Sequence, residues 1–431
     1  MKIPEILLIE SQHKPGSLAR ILQVIGEAGL VIENLDVVKR DQDKTVWEVT
    51  LNLEADVEYN LAEAINALPN ARLIGKSDRV FNRHRGGKIR MVSRLPLTSL
   101  QELRDVYSPG VARVCLAIRD DPSLAQEYTG LRNTVGIITN GTAILGLGNI
   151  GPVAGLPVME AKAALMARLA GLSGIPILMR ETDPDRVIET VERIAPSFGA
   201  IQLEDFAAPD CFRIEEELLR RLDRPVMHDD QHGTAVVSLA ALLGAARRIG
   251  RSLEDSVVGQ VGLGAAGMGI ANLLASHGLR KLIGTDLRED ALQRFEAMGG
   301  RRASLDEVMA RADIVIATTG VSGLIRPESV REGQLILALT NPDPEILPRE
   351  ALRHGAAFAA DGASINNVLG FPGLFRGVLE SGVRAFSNEM FLAAARTLAE
   401  LAPEHELVPS PLDPAVHEAV AEAVREVAAA G

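Results

Sequence analysis

The chain has 431 residues, 47% hydrophobic and 24% charged, enough for two or three domains around a large core. Its net charge of −12 and scattered basic residues argue against nucleic acid or an anionic membrane as partner. No run approaches 18 uninterrupted apolar residues, the start has no long apolar stretch, and the two cysteines, Cys115 and Cys211, lack metal-site spacing. The expectation is a soluble, cytoplasmic protein with reduced thiols.

Near the N-terminus "EILLIE" predicts a short strand. "HKPGSLARILQVIGEAGL" predicts a turn at Pro15-Gly16 and then a helix with Leu18, Ile21, Leu22 and Ile25 on one face. "VIENLDVVKR" and "TVWEVTLNLE" read as strands around a polar turn at 41–44; a helix near 60–67 and the strand "ARLIGKSD" follow. The resulting strand-helix-strand-strand-helix-strand order is that of a ferredoxin-like α+β domain. With its "xxPGxL" turn it resembles an ACT regulatory module, which implies a small effector, commonly an amino acid, bound at a subunit interface. A ferredoxin-like domain used only for dimerisation fits the same order. "RVFNRHRGGKIR" (Arg79 to Arg90) reads as a linker, so this domain is expected over residues 1–80.

Beyond the linker, strands and helices alternate. "TVGIITNG", "AILGL", "IPILMR" and "AIQLED" are strand-like, and "MEAKAALMARLAGL" is a helix with Met159, Ala163, Met166 and Ala170 on its apolar face. From Gln260 the alternation restarts with "GQVGLGAAGMGIANLLASHGL", "KLIGTD", "ADIVIATTG", "QLILALTNP" and "AAFAADG". Repeated strand-helix units predict parallel sheets covered on both faces. The expected organisation is an α/β substrate domain over 81–227, then a Rossmann-like doubly wound domain with C-terminal helices over 228–431.

In "VGLGAAG", Gly262, Gly264 and Gly267 have GxGxxG spacing between a predicted strand and a predicted helix, the context that presents helix N-terminal amides to a pyrophosphate. Asp286 closes the next strand 19 residues after Gly267, near the spacing of the carboxylate that binds a ribose hydroxyl. Asp286 favours NAD, while Arg288, placed to meet a 2′-phosphate, leaves NADP open.

"MHDDQHGTA" (Met227 to Ala235) sets two carboxylates between two histidines. His228 and His232 have the i, i+4 spacing of zinc ligands. However, Pro225 and Gly233 make this a strand-to-helix junction, and the following domain binds a dinucleotide. "IQLEDFAAPDCF" ends another strand on Glu204-Asp205, a second acidic pair at the end where α/β sheets bind ligands. Acidic residues from two strand ends make an oxygen-rich site suited to Mg²⁺ or Mn²⁺. Taken singly, an acidic pair after a strand can also be a mere helix cap.

Together "YSPGVA", "NGTAILGLGNIGPVAGLPVMEAKAAL", "IQLEDFAAPDCF", "HDDQHGTAVV", "LTNPDPEI" and "NNVLGFPGLFRG" resemble the bacterial malic enzymes, in the same order from Tyr107 to the C-terminus. The resemblance implies oxidative decarboxylation of malate to pyruvate and CO₂ with reduction of NAD(P), and a homo-oligomer, dimer or tetramer. It implies metal ligation by Glu204, Asp205 and Asp230, Lys162 as general base with Asp229 beside it, and Tyr107 as general acid. Asn341, Asn366 and Asn367 fall where the family holds the substrate carboxylate or cofactor. A neighbouring cation and partial burial are expected to lower the pKa of Lys162 toward neutrality. "DGASINNVLG" is shorter than the family's usual stretch before the paired asparagines, which puts those contacts in question. Two other functions fit the pattern: a related metal-dependent β-decarboxylating dehydrogenase for another 2-hydroxy acid, and a non-catalytic ligand sensor on the same scaffold.

Overall fold

A computed structural model of the chain describes residues 2–54, 59–77, 79–144, 147–363, 365 and 367–431. It divides into two compact units, Met1–Lys88 and Ile89–Gly431.

The first unit runs β1 (Lys2–Gln12), α1 (Ser17–Glu27), β2 (Ile32–Arg40), β3 (Lys44–Glu54), α2 (Leu61–Asn66) and β4 (Ala71–Lys76). Its strands form one antiparallel sheet in the order β2-β3-β1-β4. Alternation along each strand explains the packing. Leu7 and Ile9 of β1 and Val49 and Leu51 of β3 point to one face, where Ile21 and Ile25 of α1 and Leu61 and Ile65 of α2 cover them. Gly16 enters α1 with φ 81°, a backbone conformation that glycine takes without a steric penalty. The stretch expected as a linker instead begins with a helix, α3 (Arg79–His84). Arg79 pairs with Glu48 of β3 at 2.6 Å, which draws this turn onto the sheet.

The second unit opens with α4 (Leu100–Val106), α5 (Val111–Asp120) and α6 (Ala125–Tyr128), none of which buries a residue. An α/β succession follows: β5 (Thr134–Thr139), α7 (Pro152–Ala170), β6 (Ser173–Leu178), α8 (Pro184–Ile194), β7 (Ala200–Leu203), α9 (Asp210–Arg221), β8 (Val226–His228) and the long α10 (Asp229–Arg248). These strands form a parallel sheet in the order β6-β5-β7-β8. The strand expected at "AILGL" is reduced to a bridge between Ile144 and Gly148, because Gly141, Gly148 and Gly151 all turn with positive φ. Residues 145 and 146 lie outside the described residues.

A second parallel sheet contains β9 (Val258–Val261), β10 (Leu282–Thr285), β11 (Arg301–Arg302), β12 (Ile314–Ala317), β13 (Leu335–Ala338) and β14 (Phe358–Asp361). Its connecting helices are α11 (Ala265–His277), α12 (Glu289–Ala297), α13 (Leu305–Arg311) and α14 (Pro348–Arg353). The order β11-β10-β9-β12-β13-β14 is that of a doubly wound Rossmann sheet. Every residue of β12 and β13 is buried, which explains why these strands read as unbroken apolar runs. Helices α15 (Phe371–Ser381), α16 (Asn388–Leu401) and α17 (Pro414–Ala430) pack against α7 and α10. One apolar core therefore extends from Val135 and Met159 through Val236 and Leu239 to Phe375 and Val424. No helix among the described residues is long and apolar enough to cross a membrane.

Candidate active site

Each parallel sheet reverses its winding once, between β5 and β7 in the first and between β9 and β12 in the second. The crevice beyond the strand ends at such a reversal is where α/β sheets bind ligands. Glu204 and Asp205 follow β7 directly, and β8 passes without a loop into α10, whose first residues are Asp229 and Asp230. The two acidic pairs thus reach one place from two adjacent strands. Glu204, Asp205 and Asp230 each offer a carboxylate oxygen, all within 4.8 Å of one another.

Lys162 stands beside them on α7, buried to 7% exposure. Its Nζ lies 2.5 Å from Asp229 Oδ2 and 3.0 Å from Glu204 Oε1, and it sits 4.5 Å from the centre of the Phe371 ring. The positive partner of Asp229 is therefore this lysine. Burial favours the neutral amine, but Asp229, Glu204 and Asp230 outweigh it and raise the lysine above the usual amine range. The sequence expectation of a lowered value counted a bound cation; with the three carboxylates alone the direction is upward. Glu204 is pushed well above the usual carboxylate range by burial, with Asp230, Asp229 and Asp205 adding to it against the pull of Lys162. Such crowding is what a divalent cation relieves, and the all-oxygen donor set fits Mg²⁺ or Mn²⁺.

The backbone is shaped to this purpose. Asp205 has φ 57°, the only described non-glycine residue with positive φ. Its N–H donates to Asp230 Oδ2 at 2.8 Å and its carbonyl accepts from Ala143 at 3.0 Å. Strained backbone of this kind concentrates at functional sites. His228 Nε2 lies 3.3 Å from Asp230 Oδ2, whereas His232 Nε2 turns to Glu215 at 3.1 Å. The two histidines do not converge, so the zinc spacing has no zinc geometry behind it.

Three residues whose roles here were not read from the sequence complete this half. Buried Glu215 on α9 accepts from the His228 N–H at 2.7 Å and from Gln231 Nε2 at 2.9 Å, fixing the start of α10. Gly233 leaves room for Asp229 to hold this orientation, because a Cβ there would stand 2.0 Å from Asp229 Oδ1. Phe371, from "GFPGLF", gives Lys162 an aromatic wall. Nothing in their spacing marks these roles, since each acts through residues remote in sequence.

At the second sheet the three glycines do separate work. Gly262 has φ 89° and leaves no room for a Cβ, which would meet Thr318 O at 2.7 Å. Open space lies where a Cβ of Gly264 would stand, free for a ligand, and a Cβ of Gly267 would meet Gly262 O at 2.0 Å. This is the division of labour of a dinucleotide turn at the head of α11. Asp286 accepts from the Leu263 N–H at 2.7 Å and the Arg288 N–H at 2.9 Å, which places its carboxylate beside that turn. Arg288 donates to Ala208 O at 3.0 Å.

Between the strand ends lies a cavity of about 460 Å³. Lys162, Glu204, Asp205 and Asp230 line it from the first sheet, and Thr318, Gly320, Thr340, Asn341 and Asn367 line it from beyond the second. Asn367 Nδ2 donates to Asp229 Oδ2 at 3.1 Å. Asn366 lies outside the described residues. Tyr107 is not brought to the cavity: it ends α4, is 70% exposed, and is absent from the lining.

Comparison with known proteins accounts for this arrangement. Residues 87–219 match the malic enzyme N-terminal domain and residues 348–430 the malic enzyme NAD binding domain. Residues 228–323 match the NAD binding domain of D-isomer specific 2-hydroxyacid dehydrogenases. The chain is 50% identical to NAD-dependent malic enzyme 1 of Bacillus subtilis, covering 98% of this chain and 97% of that one. The chain belongs to the malic enzyme family. NAD-dependent malic enzyme of Geobacillus stearothermophilus is 40% identical over 96% of this chain and 91% of its own. Among solved structures, malic enzyme from Pyrococcus horikoshii superposes with a TM-score of 0.76 at 39% identity, covering 80% of this chain and 87% of that one.

Proposed function

We propose that the chain oxidises and decarboxylates (S)-malate to pyruvate and CO₂ with reduction of NAD⁺, in a reaction dependent on Mg²⁺ or Mn²⁺. The observation that carries this reading is the cavity itself. A buried lysine wedged between Asp229 and Glu204 shares it with a three-carboxylate cluster, and loops following the strands of a dinucleotide-type sheet form its far wall.

When bound, a divalent cation supplies Lewis acidity toward the oxygens of malate and offsets the carboxylate charge that keeps Lys162 protonated, while NAD⁺ supplies the hydride acceptor. Lys162 then works as the base that takes the C2 hydroxyl proton, held on line by Asp229. Asn367 keeps Asp229 in place through its 3.1 Å bond, and Asn341 faces the substrate from the second sheet. Loss of the C4 carboxylate as CO₂ leaves C3 to be protonated, the role assigned to Tyr107. Asp286 favours NAD over NADP because its carboxylate would repel a 2′-phosphate, and Arg288 is tied to Ala208 O.

Tyr107 sits on the segment preceding β5, which buries nothing in α4, α5 or α6 and exposes Met91 (91%), Leu100 (74%) and Leu97 (54%). An apolar arm of this kind marks an interface. The arm is read as seating on a second copy, whose cavity Tyr107 completes. The first unit is read as an ACT-like regulatory module on the strength of its sheet order and the Gly16 turn. Its effector class is a small carboxylate-bearing compound, and the assembly works in the cytoplasm.

The test is formation of NADH and CO₂ from (S)-malate with and without Mn²⁺, followed by mixing of two inactive variants. Tyr107→Phe and Lys162→Ala, refolded together, should recover activity because the mixed oligomer holds one cavity with both groups intact. Recovery absent from a mixed oligomer that forms would overturn the shared cavity. No malate turnover in the native chain would end the reading.

A further inference from the structure

The loop after β13 carries Glu345, a carboxylate with 0% exposure that neither the metal cluster nor Lys162 uses. Its hydrogen-bond partners among the described residues are all neutral donors. Oε1 accepts from the Thr319 N–H at 2.7 Å, the Thr319 hydroxyl at 2.9 Å and the Thr340 hydroxyl at 2.5 Å. Oε2 accepts from the Thr340 N–H at 3.3 Å. A buried carboxylate is costly and persists only where its oxygens are satisfied.

The sheet has no need of this carboxylate. β12 and β13 are already paired through their backbones from Ile314 to Ala317. Glu345 ties only the loops beyond those strand ends, and both loops line the cavity through Thr318, Gly320, Thr340 and Asn341. The two threonines extend its reach: Thr340 Oγ1 accepts from the Gly320 N–H at 2.9 Å, and Thr319 Oγ1 accepts from the Val321 N–H at 3.1 Å. Three successive amides, 319 to 321, are thus engaged by one network anchored on the buried Glu345 and offer nothing to an anion.

We infer that Glu345 is a positioning residue for the uncharged carboxamide end of the dinucleotide. It sets the two loops so that the cavity receives the nicotinamide, while the pyrophosphate goes to the free amides at the head of α11. This rests on the proposed use of NAD by this cavity and adds a residue through which the loops hold the ring.

The experiment compares binding of NADH and of ADP-ribose, which lacks the nicotinamide, to the full-length protein. Glu345→Gln keeps the shape but sets an NH₂ group against a hydrogen-bond donor of Thr319 or Thr340. NADH should bind about tenfold more weakly, from the loss of a charge-assisted hydrogen bond. ADP-ribose and Mn²⁺ affinities should stay within about twofold of the native protein. Thr340→Val, which removes one arm of the network, should weaken NADH by about threefold with the same selectivity, and it carries the test alone if Glu345→Gln does not fold. NADH affinity unchanged in the folded variants, or ADP-ribose weakened in parallel, would overturn the inference. A native protein that binds NADH yet never turns over malate would count instead against the proposed function.

Discussion

Replacing Gly233 by alanine should cost malate turnover far more than it costs stability. The residue lies inside α10, where alanine is favoured over glycine by about 1 kcal/mol. A Cβ at this position would stand 2.0 Å from Asp229 Oδ1, so the carboxylate has to rotate away. Rotation breaks the 2.5 Å bond from Lys162 and the 3.1 Å bond from Asn367. A hydrogen bond to a charged group contributes about 1.5–3 kcal/mol, and about 1.4 kcal/mol of barrier is a tenfold rate. Turnover of malate should therefore fall about ten- to hundredfold, while stability falls by no more than about 2 kcal/mol, the lost bond offset in part by the helical gain. Steady-state NADH formation and a melting curve on the same preparation make the comparison. Native turnover in Gly233→Ala would refute the claim that Asp229 must face Lys162. A loss of stability well beyond about 2 kcal/mol would mean that the glycine serves packing.

Other perturbations test the rest of the site. Asp205→Asn keeps a side chain that tolerates the left-handed backbone and removes one charge from the cluster, so the Mn²⁺ concentration for half activity should rise at least about tenfold; activity that survives a chelator would exclude a metal there. Burial alone would raise Glu215, but His232 and the His228 N–H hold its carboxyl below the usual range; burial alone would lower His232, but Glu215 holds it above. The carboxylate's contribution is present above the ordinary carboxylate range and is lost as pH falls through the lowered value. The imidazolium's is present below the ordinary imidazole range and is lost as pH rises through the raised value. The melting temperature should accordingly peak between the two, and Glu215→Gln should flatten that peak; an identical profile would show the pair to be thermodynamically silent. Deleting residues 1–88 should leave malate turnover largely intact and abolish any response to small carboxylate effectors, a coupling of about 1–3 kcal/mol; loss of turnover in a folded truncation would contradict a separable regulator.

Residues that act at strand ends were legible because strand periodicity and glycine spacing are local signals. The acidic pairs at 204–205 and 229–230 could be read as neighbours from sequence, since both follow apolar strands of one parallel run. The charge state of Lys162 was not legible: it depends on three anions brought from β7 and from the start of α10, a sum that only the tertiary structure makes. Glu215 and Glu345 look like ordinary helix or loop acids in sequence, and their significance comes from burial against amides of other segments. The helix at Arg79–His84 was hidden because its anchor, Glu48, lies on β3, far upstream in the sequence. Tyr107 shows the opposite limit, a residue singled out by resemblance whose own chain does not bring it to the cavity.

The most direct test of the account is the Lys162→Ala variant, measured for malate oxidation near neutral pH with saturating Mn²⁺ and, separately, for NADH binding. If the lysine between Asp229 and Glu204 is the base, oxidation should fall by at least about a hundredfold while NADH binds as it does to the native chain. Malate oxidation at the native rate in this variant would contradict the account at its centre.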